Sequence, residues 1–139
     1  MRTFLLIFPM FVASCAMTAT TSGAPGVRPI LGTAPTQAVG SSTQAMGVID
    51  LGAEVNLAGY QLRARAATIQ PGGHLAVHTH QGRPTQEYVA QGTVIEVRNG
   101  QRFEHKAGTM VQAGNGVTHW WENHGNVPVV LVPVDVFKP

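Results

Sequence analysis

Three of the six histidines of this chain lie within residues 74–80, in the segment HLAVHTH, and a glutamate follows at position 87. Imidazole and carboxylate groups are ligands for divalent transition metals such as zinc, iron, copper and nickel. His78 and His80 are separated by one residue, so both side chains lie on the same face if this segment is a strand. A histidine pair with this spacing is more often solvated than metal-bound, so a metal site needs ligands from other segments.

Two later segments carry suitable groups. In residues 85–92, TQEYVAQG, strand alternation places Thr85 and Glu87 on one face and Tyr88 on the other, where we expect it to pack. In residues 117–123, VTHWWEN, the same alternation puts His119 and Trp121 on one face. If these strands lie beside the histidine segment, a carboxylate and a third imidazole join the first pair, and Trp121 lines the cavity. Composition and periodicity leave that proximity open.

Short extended runs make up the part of the chain that must position these groups. Residues 60–69, YQLRARAATI, alternate with Arg63 and Arg65 on one side, as in a half-buried strand. Asn99-Gly100 is typical of a two-residue hairpin turn. The C-terminal run VPVVLVPVDVF, residues 127–137, fits either a central strand or a contact between two chains. No segment keeps a helical period over three turns, which predicts an all-β sandwich or small barrel.

The first sixteen residues are typical of an export signal. They carry one positive charge, Arg2, then an apolar run of about ten residues from Phe4 to Ala13 and small residues after it. That run is too short to span a bilayer as a helix, which needs about 20 residues. Residues 12–15, VASC, resemble the lipobox of bacterial lipoproteins, which implies lipidation at Cys15. In the alternative, ordinary signal cleavage discards this cysteine.

Both alternatives predict export to the periplasm or cell envelope, with membrane attachment only through a lipid at Cys15. Residues 17–47 predict a flexible, disordered linker, because they are rich in Thr, Ser, Ala, Gly and Pro and show no period. A coil of this length reaches roughly 30 Å. Residues 48–139 then form one domain. The net charge is only +2 and the basic residues are scattered, which argues against a nucleic-acid partner.

Two segments together are similar to the two motifs of the cupin superfamily. Residues 72–92 contain a glycine, five residues, His-x-His, a carboxylate and a closing glycine, and residues 108–123 contain glycines, His119 and Asn123 at the family's intervals. The resemblance implies a cupin double-stranded β-helix, or jelly-roll, barrel. It also implies a mononuclear metal site whose ligands are His78, His80, His119 and the glutamate of the first motif.

The glutamate is the point where the chain departs from the family pattern. The family's interval from Gly92 falls on Thr85, which is a poor ligand, whereas Glu87 lies two residues further on. That displacement is about 6.6 Å along a strand at ~3.3 Å per residue. Glu87 keeps the correct face, so we predict it as the fourth metal ligand or as a catalytic base. A paired barrel carboxylate is the remaining alternative.

The resemblance further implies a divalent transition metal, Fe, Mn, Ni, Zn or Cu, and a small-molecule ligand or substrate in the barrel. The family includes dioxygenases, isomerases and lyases as well as non-catalytic proteins, so the fold does not name the reaction. Three hypotheses stay open: a metal-dependent enzyme, a non-catalytic small-molecule-binding module and an envelope scaffold. Cupins commonly dimerise, which predicts a homodimer.

Four other residues are weaker candidates. His74 follows a Gly-Gly turn, which is compatible with a position at the barrel mouth, and we predict His105 and His124 as surface residues. Arg83, in the loop after the histidine pair, is a secondary candidate for orienting an anionic substrate, although an exposed loop arginine is the commoner case. None of the four belongs to the predicted metal site.

Overall fold

The computed structural model describes residues 32–139, which fold into nine strands and one short helix. In chain order the elements are β1 Val39–Asp50, α1 Leu51–Val55, β2 Gln61–His74, β3 His78–Thr79, β4 Thr85–Gln91, β5 Thr93–Arg98, β6 Gln101–Lys106, β7 Met110–Ala113, β8 Thr118–Glu122 and β9 Val129–Phe137. The prediction of an all-β domain is confirmed. The helix begins after Asp50, whose carboxylate accepts a hydrogen bond from the backbone N–H of Gly52 at 2.8 Å, as a helix N-cap does.

The strands form one antiparallel sheet that curls into a half-barrel. The order of its main path is β6-β5-β8-β2-β9-β4-β7, with β1 paired to β2 and β3 paired to β8. Strand β9 pairs with both β2 and β4, so the C-terminal apolar run is a central strand. The interior is filled by buried apolar side chains: Ala67, Ile69, Val89, Val94, Val111, Trp121, Val129 and Leu131.

Strand β2 turns its arginine-bearing face inward. Ala67 and Ile69 are buried and share the alternation of Arg63 and Arg65, which are half-buried. The cause lies on β9, where Asp135 is fully buried and is paired in register with Arg63. A buried carboxylate needs cationic or hydrogen-bonding partners, and the arginines supply them.

Strand β1 begins before residue 48, the predicted start of the domain. Residues 39–47, assigned to the linker, pair antiparallel with β2 together with residues 48–50. Most β1 side chains are exposed, so backbone pairing holds the strand and no apolar alternation marks it in the sequence. The export signal, Cys15 and the linker before residue 32 lie outside the described residues. Within residues 32–139, the structure contains no helix of the length and hydropathy required to cross a membrane.

Strand β9 has a proline in its middle, at position 133. On one side Pro133 is paired with Glu87 of β4. On the other side the ladder joins residues 61–64 of β2 and then residues 67–69 in the same register, but it skips residues 65 and 66. Proline has no N–H to donate, so the β2–β9 ladder is interrupted beside Pro133.

Two places in the chain have a left-handed backbone that matters for the fold. Asn99 and Gly100 both have positive φ, 52° and 78°, and they join β5 to β6, which confirms the predicted hairpin turn. Gly92, the closing glycine of the first motif, has a φ of 81°. A Cβ atom at Gly92 would lie 3.0 Å from the carbonyl oxygen of Pro128. A residue with a side chain would therefore crowd this carbonyl and strain the left-handed backbone.

Candidate metal centre

The pairing of β3 with β8 brings the three predicted histidines together. His78 is directly opposite His119 in this antiparallel pair. His80 follows β3 and is held by its backbone N–H, which donates to the carbonyl of Val117 at 2.8 Å. The three imidazole centroids are 4.7–5.1 Å apart. His80 and His119 are buried and His78 is half-buried, so the rings share one sheltered site.

Four donor atoms converge at this site. The Nε2 atom of His119 lies 3.0 Å from that of His80 and 3.2 Å from that of His78. The Oε1 atom of Glu87 lies 3.4 Å from His80 Nε2 and 3.8 Å from His119 Nε2. Ligands bound at ~2.0–2.2 Å from one ion are roughly 3.0–3.5 Å apart, so this spacing fits a shared cation. The structure thus brings together all four predicted site residues.

The other ring nitrogens of His78 and His80 are held by hydrogen bonds. His78 Nδ1 donates to the carbonyl of Ala76 at 3.0 Å. His80 Nδ1 donates to the hydroxyl of Thr85 at 2.8 Å, while that hydroxyl donates its own hydrogen to the carbonyl of Arg83 at 3.0 Å. With the hydrogen on Nδ1, each Nε2 carries a lone pair directed at the centre. Thr85, at the position of the family's glutamate, therefore orients a histidine.

His119 is oriented by a carboxylate that the sequence analysis did not identify. Its Nδ1 donates to Glu96 Oε1 at 2.6 Å. Glu96, buried on β5, also accepts from Arg98 Nε at 2.7 Å and from His105 Nε2 at 3.0 Å. Burial alone would raise the pKa of Glu96, but hydrogen bonds from His105 and His119 and the charge of Arg98 hold this pKa far below its usual range. Glu96 is therefore an anion that fixes the tautomer of His119.

The prediction of His105 as a surface residue is wrong. Its side chain is 18% exposed, bonds to Glu96 and lies 5.7 Å from the Trp121 ring, centroid to centroid. The only sequence signal for the contact between Glu96 and His105 was strand alternation, since Glu96 shares the inward side of β5 with Val94. Because Ile95 and Val97 are equally apolar, that signal did not show which side faces inward.

Burial keeps two of the imidazoles neutral. The pKa of His78 and of His80 is lowered from 6.5 to about 4, mainly because burial disfavours the charged ring, and the neighbouring His119 acts in the same direction. Neutral imidazole is the form that binds metals. The chain therefore presents these ligands in the right protonation state at neutral pH.

Glu87 occupies the inward face of β4, as alternation predicted. Thr85, Glu87 and Val89 are all buried, whereas Tyr88 is 39% exposed on the outer face. Burial raises the pKa of the Glu87 carboxyl, although the charge of His119 opposes this effect. A cation at the centre would favour the ionised carboxylate. The position of Oε1 among the three Nε2 atoms suits a fourth ligand.

A cavity of about 290 Å³ adjoins the four donor groups. Its lining consists of Thr43, Arg65, Ala67, Leu75, Ala76, His78, Arg83, Glu87, Trp121, Leu131 and Pro133. Trp121 lies on this side, 5.2 Å from His119 between ring centroids, as the sequence predicted. Arg83 also reaches the cavity, so it is not simply a solvated loop residue.

Other motif residues have structural contacts. Asn123 is buried, and its Nδ2 donates to the carbonyls of Ile69 and Val127, both at 2.9 Å, which closes the loop before β9. His74 contacts the carbonyl of Gln37 at 3.1 Å, and the exposed His124 contacts Glu122. Neither of these histidines reaches the four donor groups.

Comparison with known proteins identifies the family. Residues 66–137 match the model of the family described as Cupin domain, which is more than half of the chain. This protein therefore belongs to the cupin family. No curated protein matches the chain.

Several solved structures are similar to this chain. They include a predicted oxalate decarboxylase from Thermotoga maritima, with 20% identity over 75% of this chain and 93% of that one and a TM-score of 0.57. An uncharacterized conserved protein with a double-stranded beta-helix domain from Klebsiella pneumoniae has 21% identity, coverage of 81% and 84%, and a TM-score of 0.58. A sugar phosphate isomerase from Silicibacter pomeroyi has 19% identity, coverage of 72% and 61%, and a TM-score of 0.54. At these identities the likeness shows the fold.

Proposed function

We propose that this protein is an exported, mononuclear metal-binding cupin that acts on a small molecule in its barrel cavity. The observation that carries the proposal is the convergence of three Nε2 atoms and one carboxylate oxygen, all within 4.8 Å of one another. A histidine that binds a metal almost always donates the hydrogen of its other ring nitrogen to an acceptor. Here a carbonyl, a hydroxyl and a carboxylate take those places.

The donor set fits a divalent transition metal, namely Fe, Mn, Ni, Zn or Cu. His78, His80, His119 and Glu87 would hold it, and a metal so held supplies Lewis acidity or a more acidic bound water. The chain's own part is to orient the imidazoles through Thr85 and Glu96 and to shelter the site from bulk water. Glu87 is either the fourth ligand or a base beside three histidine ligands. A Glu87→Gln variant separates these roles: loss of metal indicates a ligand, and loss of turnover with metal retained indicates a base.

Catalytic use of the metal, of the dioxygenase, isomerase or lyase type, is supported by the cavity that opens directly onto two of the donor residues. The similar proteins named as a decarboxylase and an isomerase are consistent with this range of reactions. A non-catalytic binding module is the second candidate, supported by the same cavity. In that case ligand binding would survive removal of the metal. An envelope scaffold would tolerate replacement of the histidines.

Elemental analysis tests the metal site. The full chain is purified without chelator or metal-affinity resin, alongside a His78→Ala/His80→Ala variant. His74→Ala/His124→Ala is the matched control, because it removes two histidines outside the four donor groups. We expect about one metal per chain in the parent and the control and none in the first variant. Equal metal in all three proteins would exclude this site.

Export and pairing of two chains are also part of the proposal. A domain of ~95 residues leaves more than a third of its unfolded-chain surface exposed, so a homodimer would add buried area. Light scattering gives the mass of the purified protein in solution. A mass of one chain at all concentrations would rule out the homodimer.

A further inference from the structure

The cavity beside the four donor groups has a cationic wall. Arg65 from β2 and Arg83 from the loop before β4 line it together with His78 and Glu87. Ala67, Leu75, Leu131 and Pro133 supply apolar surface. A ligand in this space would therefore meet guanidinium groups at one side and hydrocarbon at others.

Three guanidinium groups share a single carboxylate at this wall. Asp135 Oδ2 accepts from Arg65 at 2.7 Å, from Arg83 at 2.9 Å and from Arg63 at 3.0 Å. Asp135 is fully buried, whereas the three arginine side chains are 20–23% exposed. Glu87 is a second carboxylate in the lining, but two carboxylates do not balance three guanidinium groups, so this wall keeps a positive excess.

The three arginines are not equivalent. Arg63 forms a two-point contact with Asp135, lies 3.7 Å from the centroid of the Phe137 ring and is not part of the cavity lining. Arg65 has only one of its nitrogens, Nη2, on Asp135, and its side chain is 23% exposed beside the cavity. Arg83 gives one nitrogen to Asp135 and another to the carbonyl of Thr79 at 3.3 Å. Arg65 and Arg83 therefore have donor capacity left at the cavity.

The charges around Arg65 also favour an additional anion at this wall. Burial lowers the pKa of Arg65, and the charges of Arg63 and Arg83 act in that direction, against the charges of Asp135 and Glu87. A cluster built only to neutralise Asp135 would need one or two arginines. The additional guanidinium group is accounted for by an anion that arrives from outside the chain.

We propose that Arg65 and Arg83 bind the carboxylate of a small organic acid, with its carbon chain against the apolar wall and its other end toward the four donor groups. Planar guanidinium forks match the geometry of a carboxylate, and Asp135 holds them in place before the ligand binds. The inference rests on the proposed function in that it names the substrate class of the same cavity. It makes Arg65 and Arg83 specificity-determining residues.

Ligand-observed NMR titration of the full chain, loaded with Zn²⁺, tests the proposal. The probes are acetate, propionate and butyrate, with propionamide as the neutral counterpart of propionate and inorganic phosphate as a different anion. We expect saturable binding of the carboxylates and none of propionamide. Arg65→Gln and Arg83→Gln each weaken carboxylate binding about 10- to 100-fold, the range expected for a lost charge-assisted hydrogen bond.

Two further variants control for folding and charge. Arg102→Gln removes a similarly exposed, ion-paired arginine that contacts Glu122 outside the cavity, and it should leave binding unchanged. Arg65→Lys keeps the charge and the side-chain length but loses the planar fork, so its affinity should fall between those of the parent and Arg65→Gln. Circular dichroism checks that each variant is folded.

The proposal is overturned if no carboxylate binds, if phosphate binds and carboxylates do not, or if both glutamine variants bind propionate like the parent. Metal content is measured on the same samples, and the titration is repeated on metal-free protein. Arginine-dependent binding of propionate without any metal site would sustain this inference and remove the proposed metal function. One metal per chain with no carboxylate binding would sustain the proposed metal function and remove this inference.

Discussion

Replacing Glu96 by glutamine removes the charge behind His119 while it keeps the shape of the side chain. In the parent, Glu96 accepts hydrogen bonds from His119, Arg98 and His105 at 2.6–3.0 Å. Glutamine still offers one carbonyl oxygen to His119 Nδ1, but the imidazole loses the anionic partner that makes Nε2 a stronger donor to a metal. We therefore expect a folded protein with weaker metal binding.

The magnitude follows from the kind of hydrogen bond that is lost. Removal of a partner behind a metal-ligating histidine weakens metal affinity about 10- to 100-fold, which is about 1.4–2.7 kcal/mol. Thr85→Val removes the acceptor behind His80 and leaves only the carbonyl of Arg83, at 3.3 Å from His80 Nδ1. That hydrogen bond is between neutral groups, worth about 0.5–1.5 kcal/mol, so the loss is about two- to tenfold. The glutamine variant should be the weaker binder.

Competition titration of Zn²⁺ against a chromophoric chelator measures these affinities at one fixed pH. Glu104→Gln on β6 is the matched control, since this glutamate is 46% exposed and paired with Lys106 at 3.7 Å. Urea unfolding of the metal-free proteins separates lost metal affinity from lost stability. Parent-like affinity in Glu96→Gln, or a larger loss in Thr85→Val, would refute the argument that the charge on Glu96 strengthens the site.

Three further predictions concern protons, the buried carboxylate and the N-terminus. In metal-free protein, the folded-state pKa of His78 and His80 is about 4, below the ordinary 6.5, so the unfolded chain binds protons first. The free energy of unfolding should then fall as the pH drops from about 6.5 to about 4; urea titrations would show this, and a flat profile would contradict it. Asp135→Asn leaves three guanidinium groups without their shared anion and should cost about 3–5 kcal/mol in urea unfolding, with a loss under about 1 kcal/mol contradicting this. Cys15→Ser should abolish incorporation of labelled palmitate in cells, and label retained by the variant would exclude this lipidation site.

The site was predictable where residue type and spacing act together. His78, His80 and His119 fall in two motifs, and alternation alone put Glu87 on their side of the sheet, despite Thr85 at the family's usual position. The hairpin at Asn99 was predictable because few residues accept a positive φ. These predictions rest on local geometry, which the sequence carries directly.

The sequence left the direction of a strand face open where that direction depends on a distant partner. Arg65 points inward because it donates a hydrogen bond to the buried Asp135, 70 residues later. Glu96 points inward because His119 and His105 meet it there, and apolar neighbours on both sides of β5 hid that direction. The first part of β1 was not predicted because backbone hydrogen bonds to β2 hold it in the sheet. Its side chains are mostly exposed, so the residue types do not mark a strand.

The break in the ladder at Pro133 has a mechanical consequence. Backbone groups that face the gap between β2 and β9 lack the interstrand hydrogen bonds that the rest of this strand pair forms. The gap lies in the wall of the cavity. We expect hydrogen–deuterium exchange to be fastest there, ahead of the continuous ladder on either side. The two strands keep one register on both sides of the gap and stay paired with β1 and β4 there, so we expect the faster exchange to be confined to this short stretch.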